Sequence, residues 1–515
     1  VISEADHDHV RKRPEFLGRI WQSRGMDALD PESSYRALQT RDPRFDGRLF
    51  VGVTSTGIYC RPICPARTPK REHCRFFAGS AAAQAAGFRA CLRCRPEIAP
   101  ELPGWRGTSN TVSRALALIA DGFLDREGGT VEALATRVGM GARQLRRLFD
   151  QHLGVAPVAI AQSRRLLFAK QLLHDTSLPM TDVALGGGFG SVRRFNHAFR
   201  SLYHRSPRAL RRAAVAAAPK PLATAPVMLH VPYRPPYDWT GMLHYLQARA
   251  IDGLEMFEDG LYRRSITHEG LAGSVTIEHR ADRHGLLATI GFPSVRALQA
   301  IVCRIRHQFD VEADVDAIAA HLSKDAALAP LIAARPGLRA PGCWDGFELA
   351  VRAVLGQQIS LAAARKLGAI LVDLWGEPLP NSDHPRLTRT FPTARCLATA
   401  DLRRLGMPAA RKATITALAQ AALANPSLFT PGAPIEERLA QLRAIPGIGA
   451  WTANYIALRA FREPDAFPAT DAGLLSGAGC LKGESRHNAA SLLQRSEAWR
   501  PWRAYAAQHL WTVNR

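Results

Sequence analysis

Apolar residues recur along this chain with two different periods. Over about 105–213 they return every three or four positions, as at Leu145, Leu148 and Phe149, which predicts amphipathic helices throughout. Thr130 caps the run VEALATRVGMGARQLRRLFDQHLG, where Ala135 and Gly139 are spaced for a tight helix-turn-helix. The same pattern returns in MTDVALGGGFGSVRRFNHAFRSLYHRSP, with Ala184 and Gly188 in the matching places. The runs VMLHV, LYRRSI, SVTIEH and LLATIG then predict strands, followed by a helix at about 294–309. Helices resume towards the C-terminus, including a pair joined by Pro446-Gly447-Ile448-Gly449, the second at about 451–461.

At 515 residues the chain is too long for one core. The pattern divides it into a polar tail (1–24), a compact unit (25–100), an all-helical unit (105–213), a small-residue, proline-containing linker (214–226), an α/β unit (227–310) and a helical unit (311–515). The fold class is therefore multidomain α+β. The 227–310 unit shows no catalytic constellation and reads as structural.

Charge adds a partner to this picture. With 67 Lys and Arg against 45 Asp and Glu, the chain carries +22, which favours nucleic acid first and an anionic membrane surface second. No run of about 18 apolar residues is present, and the charged start lacks an apolar leader core, so a cytoplasmic protein is expected. By position, Arg143, Gln144, Arg146 and Arg147 in the first predicted recognition helix, and Ser191, Arg193, Arg194 and Asn196 in the second, face outward. The triplet Gly186-Gly187-Gly188 predicts a less rigid second unit.

Four of the nine cysteines fall in two close pairs, Cys60/Cys64 and Cys91/Cys94, separated by 26 residues. Such pairs converge on one tetrahedral Zn²⁺, and on spacing alone a purely structural zinc is the simplest outcome. Arg61, Arg67, Lys70, Arg71, Arg93 and Arg95 surround them as candidate phosphate contacts, while Cys74, Cys303, Cys343, Cys396 and Cys480 read as ordinary thiols.

The glycines of the Pro446–Gly449 turn allow backbone N–H groups at a helix start to approach a phosphate, although the turn alone is also compatible with a plain helix corner. Trp451 and Tyr455 share one helix face and suit either a base pocket or a core. Asp471, with Asp465 six residues earlier, is by itself as much a helix cap as a catalytic carboxylate.

Longer blocks carry family resemblances. DPRFDGRLFVGVTSTGIYCRPICPAR with AAGFRACLRCRPE resembles the zinc domain of Ada methylation-response proteins, which implies that Cys60 accepts a methyl group from methylated DNA phosphate. The paired helix-turn-helix units resemble the AraC-type DNA-binding domain. YRPPYDWTGMLHYLQARAIDGLE, PGLRAPGCWDGFELAVRAVLGQQIS, RLGMPAARKA, PGIGAWTANYIALR and WRPWRAYAAQHLW resemble AlkA-type helix-hairpin-helix DNA glycosylases. That resemblance implies an antiparallel-sheet domain packed on the helical glycosylase domain. It makes Asp471 the catalytic carboxylate, Trp451, Tyr455 and Trp511 the pocket, and Gly447 and Gly449 the DNA-gripping hairpin. In the gap-filling loop Leu355–Ser360 the wedge position holds Gln358, with Gln357 and Ile359 as possible contributors.

Trp451 stands where lyase members of the superfamily carry a nucleophilic Lys, so hydrolysis without strand cleavage is expected. The PCHR motif of a guanine-O6 methyltransferase is absent, so that activity is expected to be missing. The combined expectation is a nucleoid-associated bacterial regulator and repair enzyme. It acts on alkylated sites and promoter sequences in double-stranded DNA and contacts RNA polymerase. The rival is a transcription regulator whose glycosylase half binds DNA without catalysis.

Overall fold

The computed structural model describes residues 30–99, 110–126, 128–214, 226–380, 382, 384–430, 432–481 and 488–513. The predicted tail at 1–24, and all of the linker except its two end residues, lie outside the described residues.

The first unit packs helices α1 (Pro31–Gln39) and α2 (Ser80–Ala85) on a small sheet of β1 (Phe50–Val53), β2 (Ile58–Cys60), β3 (Cys74–Phe77) and β4 (Arg89–Ala90), in the order β3-β1-β2-β4. Six helices follow: α3 (Asn110–Ala120), α4 (Val131–Arg137), α5 (Ala142–Leu153), α6 (Pro157–Asp175), α7 (Met180–Gly186) and α8 (Val192–Tyr203), then α9 (Pro207–Ala214). Both helix-turn-helix units form as the spacing predicts. Thr130 caps α4, Ser191 caps α8, and Gly139 and Gly188 each take φ +80, the left-handed turn that glycine permits without strain.

The sheet of the α/β unit is fully antiparallel, in the order β5 (Val227–Pro232), β9 (Gly285–Gly291), β8 (Leu271–Arg280), β7 (Leu261–His268), β6 (Glu255–Glu258), with α10 (Trp239–Gln247) between β5 and β6. Alternation sets its buried face: Val275 and Ile277 on β8 and Leu286, Ala288 and Ile290 on β9 point into the core. Edge strand β6 escapes sequence reasoning because its four residues Glu-Met-Phe-Glu are too few to show a period. The helix expected at 294–309 begins as a 3₁₀ turn, Val295–Ala297, and continues as α11 (Leu298–Gln308).

The remaining helices are α12 (Val315–Leu322), α13 (Ala329–Ala334), α14 (Gly346–Leu355), α15 (Leu361–Trp375), α16 (Ala394–Thr399), α17 (Ala409–Ala424), α18 (Ile435–Arg443), α19 (Ala450–Arg459), α20 (Ala472–Cys480), α21 (Ala489–Ser496) and α22 (Arg503–Leu510). They build two cores. One gathers α14, α15, α17 and α18; the other gathers α12, α13, α20, α21 and α22. Helix α19 lies between them, giving Ala453 and Ile456 to the first and Ala457 and Leu458 to the second, which is why it is buried on two faces. Among the described residues no helix is long and apolar enough to cross a membrane.

A third core is continuous across unit boundaries, joining Tyr59 and Phe88 of the cysteine-containing unit, Leu166 and Leu172 of α6, and Leu229 and Val231 of β5. Helix α6 is the hub. Its Lys170 is fully buried, donates to the Cys91 carbonyl at 3.0 Å and forms an ion pair with buried Glu97. Gln171 donates to the His230 carbonyl on β5 at 2.8 Å.

The glycine triplet is a docking surface rather than a loose end. A Cβ on Gly186 would lie 3.1 Å from the Val295 carbonyl, and one on Gly187 2.9 Å from Ala169 Cβ, so their smallness lets α7 close on both α6 and the α/β unit. The expected loss of rigidity is therefore replaced by packing. Lys170→Met is expected to lower stability by about 3 kcal/mol, the low end for a broken buried pair because Arg95 remains on Glu97. Urea unfolding is the measurement, and adding Glu97→Gln is expected to recover most of the loss.

Candidate active site and metal centre

The C-terminal site begins with a turn. Gly447, at φ +84, packs so closely on α17 that a Cβ there would fall 1.9 Å from Thr414 Oγ1. Gly449 is the N-cap of α19 and would meet nothing within 4 Å, so the first N–H groups of that helix are open to an anion. The two glycines serve different ends: one fixes the turn against the protein, the other leaves room in front of it.

At the start of α19, Trp451 stacks on Tyr455, one turn further on, at 5.4 Å with planes 9° apart. Asp471 caps α20, its Oδ1 accepting from Leu474 N at 3.0 Å. The same oxygen accepts from Trp511 Nε1 at 2.8 Å, and Oδ2 accepts from Trp451 Nε1 at 2.8 Å. The capping role and the site role thus coincide in one carboxylate. Trp511 reaches it because Gly473 has no side chain: a Cβ there would lie 3.1 Å from both Asp471 Oδ1 and Trp511 Cδ1. Asp465 is occupied elsewhere, in ion pairs with Arg500 and Arg503.

These residues line a cavity of about 370 Å³. Sequence reasoning misses much of its wall, and the expectation that the α/β unit is only structural is corrected, because Tyr245, Arg249, Glu255 and Arg264 all belong to that wall. Tyr245 and Tyr455 share a hydroxyl contact of 3.3 Å. Buried Arg459 lies 4.7 Å from the Tyr245 ring and 5.0 Å from the Trp511 ring, while donating to the Pro341 carbonyl and Gln508 Oε1, each at 2.9 Å. Burial pushes the Tyr245 phenol up to about 12 against the pull of Arg459. At Tyr455 burial acts the same way, but Arg249 and Arg459 outweigh it and hold the phenol below its ordinary value. Cys343, read as an ordinary thiol, lines the same cavity, and burial raises its pKa well above the usual thiol value.

The metal centre joins the two predicted cysteine pairs. The sulfurs of Cys60, Cys64, Cys91 and Cys94 all lie within 4.8 Å of one another, and among the described residues no other such metal-binding group occurs. Four soft donors at this spacing fit one tetrahedral Zn²⁺, whose sulfur ligands stand about 3.8 Å apart. Three of the cysteines are buried and Cys60 is half-buried, the most accessible of the set. Arg61 N donates to Cys94 Sγ at 3.3 Å and Arg93 N to Cys91 Sγ at 3.4 Å, orienting the thiolates.

Of the six candidate phosphate cations, two are corrected. Buried Arg61 pairs with Asp46, and Arg95 pairs with Glu97 and Asp175, so neither reaches outward. Arg71 rests on the Tyr35 and Phe76 rings, whereas Arg67, Lys70 and Arg93 are exposed. Arg143, Arg146, Arg147, Arg193 and Arg194 are exposed on α5 and α8 as expected, with Arg146 paired to Glu132. Gln358 is exposed, while Gln357 turns inward to the hairpin.

Known proteins resemble this chain in whole or in part. Family models match for the metal binding domain of Ada at 33–97, a helix-turn-helix domain at 134–213 and the AlkA N-terminal domain at 228–345. A probable bifunctional transcriptional activator/DNA repair enzyme AlkA of Mycobacterium tuberculosis is 42% identical over 486 residues, 94% of this chain and 96% of its own length. The chain belongs to this bifunctional AlkA family. DNA-3-methyladenine glycosylase 2 of Escherichia coli is 37% identical over 283 residues, covering 54% of this chain and 95% of that protein. A 3-methyladenine DNA glycosylase structure from Archaeoglobus fulgidus shares the fold of the C-terminal half, with a TM-score of 0.50 and 21% identity over 55% of this chain and 97% of that one.

For this AlkA-family chain the geometry makes Gly473 a site residue that no sequence motif announces. Gly473→Val is expected to push the Trp511 indole away from Asp471, costing about 1 kcal/mol or more for the lost hydrogen bond. Tryptophan fluorescence and base-release rates read the displacement, with the Trp451 hydrogen bond retained.

Proposed function

We propose that this protein repairs alkylated DNA and regulates transcription, with base excision in the C-terminal half and methyl sensing in the N-terminal half. The excision reading rests on one observation. Asp471 is held by two indole N–H groups and a backbone N–H at the wall of an aromatic cavity, beside a hairpin whose helix start is open to phosphate.

In that setting the hairpin grips the DNA backbone and an alkylated purine rotates into the cavity, where Trp451 and Tyr455 offer stacking faces. A cationic N3- or N7-alkylated base gains cation–π attraction from those rings, on the order of 0.5–2 kcal/mol. As the N-glycosidic bond breaks, its electron pair leaves with the base and positive charge grows at C1′ of the sugar. The Asp471 carboxylate stabilises that charge and orients the water whose oxygen bonds to C1′, with the water proton passing to the carboxylate or solvent. Among the described residues lining the cavity there is no lysine, which supports hydrolysis to an abasic site without lyase cleavage.

At the metal centre Zn²⁺, when bound, keeps its sulfur ligands as thiolates. Cys60, as the accessible member of the four, is the methyl acceptor: its sulfur bonds to the methyl carbon of a methylphosphotriester as the carbon–oxygen bond breaks, leaving a phosphodiester anion. Exposed Arg67, Lys70 and Arg93 supply positive charge for the approaching strand. The exposed arginines of α5 and α8 hold promoter DNA, and the promoter-bound regulatory half contacts RNA polymerase.

Two measurements test these assignments. The wild type is expected to release 3-methyladenine from duplex DNA, and Asp471→Asn to lower the rate by about 100-fold or more while DNA binding persists. A folded, DNA-binding wild type that releases no base would favour a regulator whose glycosylase half only binds. Incubation with methylphosphotriester DNA is expected to add one methyl group to the peptide carrying Cys60, read by mass spectrometry, and zinc chelation beforehand to abolish it.

A further inference from the structure

The turn after α14 is fixed from two directions. The side-chain amide of Gln357 donates to the Gly447 carbonyl at 3.1 Å and to Thr452 Oγ1 at 3.2 Å, joining it to the hairpin turn and to the first turn of α19. Its own carbonyl accepts from Arg411 Nη1 at 2.8 Å. Arg411 belongs to α17, and Thr414 of the same helix is the side chain against which Gly447 packs. One helix therefore backs both the phosphate-facing turn and this loop.

Between those ties Gln358 stands exposed at φ +59, a left-handed conformation that residues other than glycine and asparagine seldom adopt and that persists only where the surroundings impose it. Its neighbours Gly356 and Ile359 line the cavity, so Gln358 lies on the cavity's rim. A base drawn into the cavity leaves a vacancy in the stack. The group that fills it has to stand at that rim, reach outward and keep its place while the DNA bends around it.

We propose that Gln357 and Arg411 are positioning residues that hold Gln358, at the wedge position implied by the family resemblance, in its left-handed pose as a polar plug for the vacated stack. This inference rests on the base-excision function proposed above. An amide carries both donors and an acceptor, so the plug can also pair with the edge of the base left without a partner, which a hydrocarbon side chain cannot do. Gln357 works through Gln358 and touches no reacting atom.

The experiment uses the full chain and two duplexes containing 7-methylguanine, one with cytosine opposite the lesion and one with a pyrene nucleotide, whose flat ring fills the stack by itself. With cytosine opposite, Gln357→Ala is expected to slow base release on the order of 10-fold, and with pyrene opposite to come within about 3-fold of the wild type. Thr452→Val, which leaves the Gly447 carbonyl in place, is expected to show a smaller loss with the same pyrene rescue. Asp471→Asn is expected to stay slow on both duplexes. A wild-type rate for Gln357→Ala opposite cytosine, or a loss that pyrene leaves unchanged, would overturn the positioning role. A wild type silent on both duplexes would overturn the excision function and this inference together.

Discussion

Two indole N–H groups and one backbone N–H converge on the carboxylate of Asp471, and each donor comes from a different place in the C-terminal half. Trp451 arrives on the helix after the hairpin, Trp511 at the end of α22, and Leu474 N from the first turn of α20. A carboxylate anchored at three points gives up little freedom when charge develops next to it, which is what preorganised electrostatic stabilisation requires. The architecture around it sets those three contacts. Helix α19, between two cores, delivers Trp451 from one side, and the close approach allowed by Gly473 and Gly477 lets α22 bring Trp511 from the other.

The same carboxylate stands among unusual company. Arg249 and Arg459 lie against the aromatic rings of the cavity, so part of the π surface already faces protein cations. Two consequences follow for a base entering the cavity. Stacking supplies most of its attraction, and the guanidiniums reduce the cation–π share that the rings can add for a cationic base. Arg459 is itself fixed by the Pro341 carbonyl and Gln508, so it is part of the wall rather than a mobile partner.

In the N-terminal half the corresponding constraint is the buried Lys170. A charge without water has to be paired, and Lys170 finds Glu97 and the carbonyl of the zinc-site residue Cys91 in a unit other than its own. The long helix between the two DNA-binding units is thereby tied to the cysteine cluster on one side and, through Gln171, to β5 on the other. The cysteine-containing unit, the second helix-turn-helix and the α/β sheet share one core and are not beads on a string.

Residue identity alone determined much of this protein. The cysteine spacing specified a four-sulfur centre, the Ala135/Gly139 and Ala184/Gly188 pairs specified two helix-turn-helix units, and the Pro446–Gly449 turn specified a tight helix corner, with Asp471 open between helix cap and catalytic carboxylate until the family resemblance is added. These are local signals, set by ligand geometry, capping and left-handed turns within a few residues, and so they survive in one dimension. Tertiary structure decided what depends on distant segments meeting. It turned the Gly186–Gly188 triplet from a flexible end into a packed face, withdrew Arg61 and Arg95 into ion pairs, and made Tyr245, Arg249 and Arg459 cavity walls. It also fixed Gln357 to a hairpin 90 residues away in the chain. A burial or a hydrogen bond across such separations leaves no period in the sequence, because its partner is chosen by the fold and not by the neighbouring residues.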